Sequence, residues 1–294
     1  MLQANALLAL AAAILWGGGD FSGGMGAKHA GGSVRGALRV VLTSHATSLI
    51  VLIVIALLRH DSFPHGAPLG WSVLSGLMGC LSVTAFYIAL SRGAMGASAA
   101  VSGLLAAAIP SAAAIAHDGR PGWLTMAGFV IAGCAIWLIA AGDNPESTPA
   151  SAATMWLAVA SGAGFGVYFV ALKYAAAAGL VWPMATARLT SVVSSLTIVL
   201  VMALASRNSP KEEREWLPRK AFLWALVTAL GDTSGNLLFM AATRAGRLDV
   251  ASVLASLYPA STILLAAWTL HERLTRRQGL GMLVAAGAVV MITL

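Results

Sequence analysis

The sequence predicts an all-α integral membrane protein: ten transmembrane helices, arranged as two inverted five-helix repeats around a central cavity. Three observations predict it. The 294-residue chain is 59% hydrophobic and only 10% charged, with a mean hydropathy of +0.83; a soluble domain carries about a quarter charged residues. Apolar stretches of the ~20 residues that a helix needs to cross a bilayer recur along the whole length. The two halves of the chain also resemble one another at nearly constant offsets.

The first segment, 4–27, opens apolar and then runs through WGGGDFSGGMG (16–26), glycine-rich with one acid. No charged leader followed by a small-residue cleavage site is recognisable, so this segment reads as a retained span. Segments 37–58, 69–91, 96–116 and 121–141 complete a first repeat, 1–141. The stretch GDNPESTPAS is polar and holds two prolines, and it marks a linker over 142–152. Segments 153–176, 182–206, 220–242, 248–270 and 276–294 form the second repeat, 153–294. Most connections are short. Only RNSPKEEREWLPRK (207–220) is long and charged enough to be an aqueous loop.

One offset carries Trp16 onto Phe165 and Arg39 onto Arg188. A slightly longer one lays GCLSVTAFYIALSRG (79–93) over GDTSGNLLFMAATRA (231–245), matching Gly79 with Gly231, Ser82 with Ser234 and Arg92 with Arg244. Five helices per repeat is an odd number. The second repeat therefore enters the bilayer from the opposite side, the inverted plan recurrent in secondary transporters.

The net charge of +7 would suggest nucleic acid in a soluble protein. Here it is assigned to basic loops, and no nucleic-acid partner is expected. With both termini on one side, that side holds Arg59, Arg120, Arg244 and Arg247, and the opposite side holds most of the remaining Lys and Arg. The positive-inside rule then puts the termini outside. Cys80 and Cys134 lie in apolar runs and form no disulfide framework or metal spacing. No metal, cofactor or catalytic residue is read, and no nucleophile–base or phosphate-loop motif occurs, so the chain is not expected to be an enzyme. The expected partners are the lipid bilayer and a small molecule, with protons as the coupling ion. No oligomer is required.

Charges inside the predicted spans mark the candidate pathway. Asp232 lies near the middle of the eighth segment, where an acid costs about 2.5–3.5 kcal/mol on insertion scales. Asn236 and Phe239 follow on the same helical face, and Cys80, Thr84 and Tyr87 form the matching face of the third helix. These faces predict either a shared cavity or an interhelical hydrogen-bond cluster. Asp20 lies one turn after Trp16, and its repeat counterpart is Phe169. It reads as a cation-binding acid, as a proton carrier, or as the partner of Arg39 or Lys28. Arg39 and Arg188 either snorkel to the interface or offer a fork to a substrate carboxylate. Trp16, Tyr87, Phe165, Tyr168 and Phe169 are aromatic candidates for a cavity wall or a lipid face. Pro259 frees a carbonyl in the ninth segment and permits a bend or gate.

Three stretches carry a resemblance: ILWGGGDF (14–21), YIALSRGAMGASAAVSGLL (87–105) and, above all, 241–291. In the last, small residues lead to Pro259, then Glu272–Arg273 at a turn, then a tenth helix with Gly279, Gly281 and Gly287. The chain resembles a ten-helix EamA-type member of the drug/metabolite transporter superfamily. In the first half, HDGRPGW (117–123) stands where that family often repeats Glu-Arg. The resemblance implies a secondary active transporter working by alternating access, for efflux of amino-acid-like metabolites or amphipathic drugs. An importer or exchanger on the same fold, or a channel, is the alternative. It also implies a bacterial inner-membrane location and cytoplasmic termini, against the charge count.

Overall fold

A computed structural model describes residues 4–91, 95–140, 151–205, 216–269 and 275–294. The regular structure in them is entirely helical: α1 (Ala4–His29), α2 (Val34–Leu58), α3 (Ala67–Ser91), α4 (Met95–Asp118), α5 (Trp123–Ala140), α6 (Ala152–Ala175), α7 (Val181–Ala205), α8 (Arg219–Ala245), α9 (Leu248–Ala255), α10 (Tyr258–Thr269) and α11 (Arg276–Thr293). Seven described stretches are long and apolar enough to cross a membrane: α1, α2, α6 with the turn after it, α7, the α9–α10 stretch, and most of α3 and α4. α5 is shorter. α8 carries Asp232 and basic ends, and α11 begins with two arginines.

The ninth predicted segment is two helices. α9 stops at Ala255, and α10 restarts at Tyr258, one residue before Pro259. Proline lacks the amide hydrogen that would continue the ladder, and it fits the first turn of a new helix. Pro110 in α4 interrupts nothing, and that helix runs on to Asp118.

Side chains are distributed as a bilayer demands. The buried set is dominated by alanine, with Ser44, Ser48, Ser72, Ser75, Ser161 and Ser195 inside as well. The large apolar side chains point outward: Ile50, Val51 and Leu57 on α2, Val193, Leu196 and Leu200 on α7, Leu283 on α11. Water would select the reverse, because exposed apolar area is unfavourable there. Lipid is as apolar as leucine, so small residues are used between helices to let backbones approach. The α1–α8 contact is the clearest case. A Cβ placed on Gly231 would stand 2.9 Å from the Leu15 carbonyl oxygen and 3.1 Å from the Gly19 nitrogen.

The helices pair across the halves. α1 lies along α8 and α3 along α6; α2 meets α7, and α5 meets α11; α1 also packs on α9 and α10, as α6 packs on α4. Polar and ring contacts fix the directions. At the end of the bundle where α1 begins, Trp182 Nε1 donates to the Asp61 carbonyl at 2.8 Å, joining the start of α7 to the end of α2. Lys173 near the end of α6 pairs with Asp118 at the end of α4 at 3.1 Å. At the opposite end, Arg35 of α2 donates to the Met202 carbonyl of α7 at 3.1 Å, and Phe21 of α1 meets Trp224 of α8 edge-on. α1 and α6 therefore run in opposite directions, as do α2 and α7.

Candidate functional site

Midway along the bundle, α2, α6, α7 and α8 each bring polar side chains to one buried cluster. Arg188 is 4% exposed and donates from Nη2 to the Asp232 carboxylate. Its Nη1 donates to His45 Nε2 at 3.0 Å. A guanidinium has donors only, so His45 Nε2 carries a lone pair. The imidazole proton then sits on Nδ1, which donates to Ser191 Oγ at 2.6 Å. His45 Nε2 also lies 3.7 Å from the Asp232 oxygen that Arg188 holds.

The second Asp232 oxygen accepts from Asn236 Nδ2 at 3.0 Å, and Tyr168 donates its hydroxyl to Asn236 Oδ1 at 2.8 Å. Thr233 donates to Ser48 at 2.6 Å, which passes the bond on to the Ser44 carbonyl at 2.9 Å. A buried ion pair needs such additional hydrogen bonds to offset desolvation. Ser44 Oγ is buried without a partner among the described residues, and so is Arg188 Nε. Beside it is a cavity of about 10 Å³, bordered by His45, Ser75, Gly79, Tyr168, Arg188 and Ser191.

Asp20 approaches from α1. It lies close enough to Asp232 for the two carboxylates to repel when both are charged, and close enough to Tyr258 of α10 to act on its hydroxyl. No hydrogen bond or ion pair joins it to a described residue, so neither Lys28 nor Arg39 is its partner there. Two carboxyls and one guanidinium therefore share this region, a surplus of one negative charge when both acids are ionised.

Below the polar cluster lies an aromatic layer. Trp16 stacks on Phe169 with ring centroids 5.0 Å apart, and Phe169 meets Phe239 at 4.8 Å. These rings are buried together and do not face lipid. Phe165 instead packs edge-on against Phe86, and Thr84 bonds back to the Cys80 carbonyl of its own helix at 2.8 Å, so neither joins the cluster. Arg39 and Arg188 part company. Arg188 is buried rather than snorkelling; Arg39 lies nearer the opposite end of the bundle, over Trp216 at 5.4 Å. The side chain of Tyr87 lies outside the described residues, as do Arg92 and Glu272–Arg273. His45, Ser48, Ser191 and Thr233 were not singled out from the sequence. His45 could have been, because an ionisable group inside a span meets the same test as Asp232.

At the end of the bundle where α1 begins, an arginine ties the turn between α8 and α9 to the end of α4. Arg247 donates to both oxygens of Asp249, at 3.0 and 2.7 Å, and to the Gly119 carbonyl at 2.7 Å beyond the end of α4. The hydrogen bonds to Asp249 push the Arg247 guanidinium above its ordinary value, so it stays charged. A separate cavity of about 270 Å³ opens at this end, between Arg59, Asp61, Trp182 and Arg244.

Residues 152–294 match the EamA-like transporter family. That second half of the chain belongs to the family, which lies in the drug/metabolite transporter superfamily. The match and the seven apolar stretches together make the chain an integral membrane protein, and the family's members are transporters of small solutes rather than enzymes. A solved structure titled only "Crystal structure of protein" has a similar fold, with a TM-score of 0.76 over 98% of this chain and 96% of that one, at 16% identity. No curated protein sequence matches.

Proposed function

We propose that the chain is a secondary active transporter that moves a small organic solute by alternating access between two inverted five-helix repeats. The observation that carries the reading is the Arg188–Asp232–His45 cluster, charged chemistry kept inside a membrane-spanning bundle where charge is costly. The pairing of α1 with α8 as α3 with α6, with the paired helices drawn from opposite halves, supports the inverted plan. Such a plan gives two related end states of comparable energy, open to opposite faces. The Arg247 tie between the α8–α9 turn and the end of α4 fits one resting state of that cycle.

The solute is amino-acid-like or amphipathic, and the direction is efflux across a bacterial inner membrane. Arg188 offers its fork to a carboxylate, Asp20 and Asp232 offer negative charge to an amine, and Trp16, Phe169 and Phe239 offer an apolar wall. The surplus carboxyl charge is neutralised by a proton or by the solute's cation, which couples transport to the proton gradient. Proteoliposome flux of a mixed metabolite pool under an imposed pH gradient tests this. Saturable, gradient-driven flux is the expected result. Flux that neither saturates nor responds to the gradient is that of a channel and overturns the reading.

A further inference from the structure

We infer that His45 and Arg188 are alternative partners of Asp232, and that a proton arriving on His45 Nε2 exchanges one for the other. The inference rests on the proton-coupled reading above and assigns the coupling proton to a histidine rather than to an acid.

The geometry is specific. His45 Nε2 is 3.0 Å from Arg188 Nη1 and 3.7 Å from the Asp232 oxygen to which Arg188 donates. With His45 neutral, Nε2 accepts from Arg188, and the three groups form a closed arrangement. A proton on Nε2 turns that acceptor into a donor, facing the Arg188 donor with like charge. The contact is then repulsive, while a carboxylate stands a few tenths of an ångström beyond hydrogen-bond reach. Imidazolium and Asp232 form an ion pair, with the Ser191 bond from Nδ1 retained throughout. Arg188, already unpartnered at Nε, is released toward the small cavity bordered by Ser75 and Tyr168. There it can meet the anionic part of a solute. Loss of the proton to the other face restores the first arrangement, so one proton is taken up and one released per cycle.

The groups facing His45 are few. α7 brings Arg188 and Ser191, and α8 brings Asp232 and Thr233. α1 brings Asp20, which acts on Asp232. α6 brings the Tyr168 hydroxyl, tied to Asn236. α3 brings Ser75; its Cys80 is engaged with Ser195 of α7 at 3.2 Å.

The test uses the full-length protein in lipid with ¹⁵N-labelled histidine, His45 being assigned by its loss in His45→Gln. At high pH the wild type should show His45 as the neutral Nδ1–H form, and on acidification as imidazolium, with both nitrogens protonated. Asp232→Asn removes the acceptor of the ion pair, and the imidazolium fraction at a fixed acidic pH should fall at least tenfold. Arg188→Gln removes the competing cation, and that fraction should rise. The charge-neutral double variant Arg188→Gln/Asp232→Asn keeps a folded reference if either single variant unfolds, and its His45 signal should lose the response to both. A His45 that stays neutral between pH 4 and 9 overturns the inference, as does an Nε2–H tautomer at high pH. Either result leaves the transport reading intact, since that reading is judged by saturable, gradient-driven flux.

Discussion

Asp20 and Asp232 are both acids inside the bundle, yet they are held differently, and this separates their mutants. Asp232 is tied to Arg188 and Asn236. Asp232→Asn strands a guanidinium that is almost fully buried, and removing one member of a buried pair costs about 3–5 kcal/mol. Here the low end is expected, because the Asp232 side chain is 29% exposed. Asp20 has no described partner, so Asp20→Asn should leave the melting temperature within a few degrees of wild type. Both variants should lose solute flux while still inserting in the membrane. Wild-type flux in correctly inserted Asp20→Asn protein would remove Asp20 from the pathway.

At the scale of the element, glycine and proline set what each helix can do. α1 and α8 touch through backbone at Gly19 and Gly231. Gly231→Leu should therefore push the two helices apart and destabilise the protein by about 1–3 kcal/mol, the usual cost of overpacking. A melting curve of the detergent-solubilised variant checks it. The α9–α10 break is different in kind. Pro259 follows it directly, so Pro259→Ala should allow one continuous helix across residues 248–269. The expected outcome is slower flux with unchanged or higher thermal stability; equal flux would mean that the break plays no part in the cycle.

For the whole molecule, the distribution of basic residues sets orientation. The end opposite the start of α1 carries Lys28, Arg35, Arg39, Arg219, Lys220, Arg276 and Arg277, against a shorter set at the other end. By the positive-inside rule that richer end is expected in the cytoplasm and both termini outside. Single cysteines at Ser62 and Lys220, in a chain with Cys80 and Cys134 replaced, report this through an impermeant thiol reagent applied from outside. Ser62→Cys should label in intact cells, and Lys220→Cys should label only after the membrane is opened. The reverse pattern would return the termini to the cytoplasm, as the family resemblance implies.

Much of the fold was legible before any coordinates. Helix existence follows from apolar runs, whereas the N-caps Ser33, Ser151 and Thr275, each accepting a backbone hydrogen bond, emerge only in the structure. The candidate site was legible only in part. A charged side chain in a greasy segment announces itself, so Asp20, Asp232 and Arg188 stood out by composition alone. What they touch did not, because the partners come from different halves of the chain: His45 and Arg188 meet across the α2–α7 pair, and Tyr168 reaches Asn236 from α6 to α8. Sequence offset made Arg39 and Arg188 equivalent, but the packing buried one and left the other nearer an end. By itself the sequence determined the membrane class, most of the helical segments and the family resemblance, since these depend on local hydrophobicity and short-range spacing. Only the tertiary structure decided which charges pair and which rings stack. Those outcomes depend on how helices distant in sequence are brought together, and small residues such as Gly19 and Gly231 set how closely.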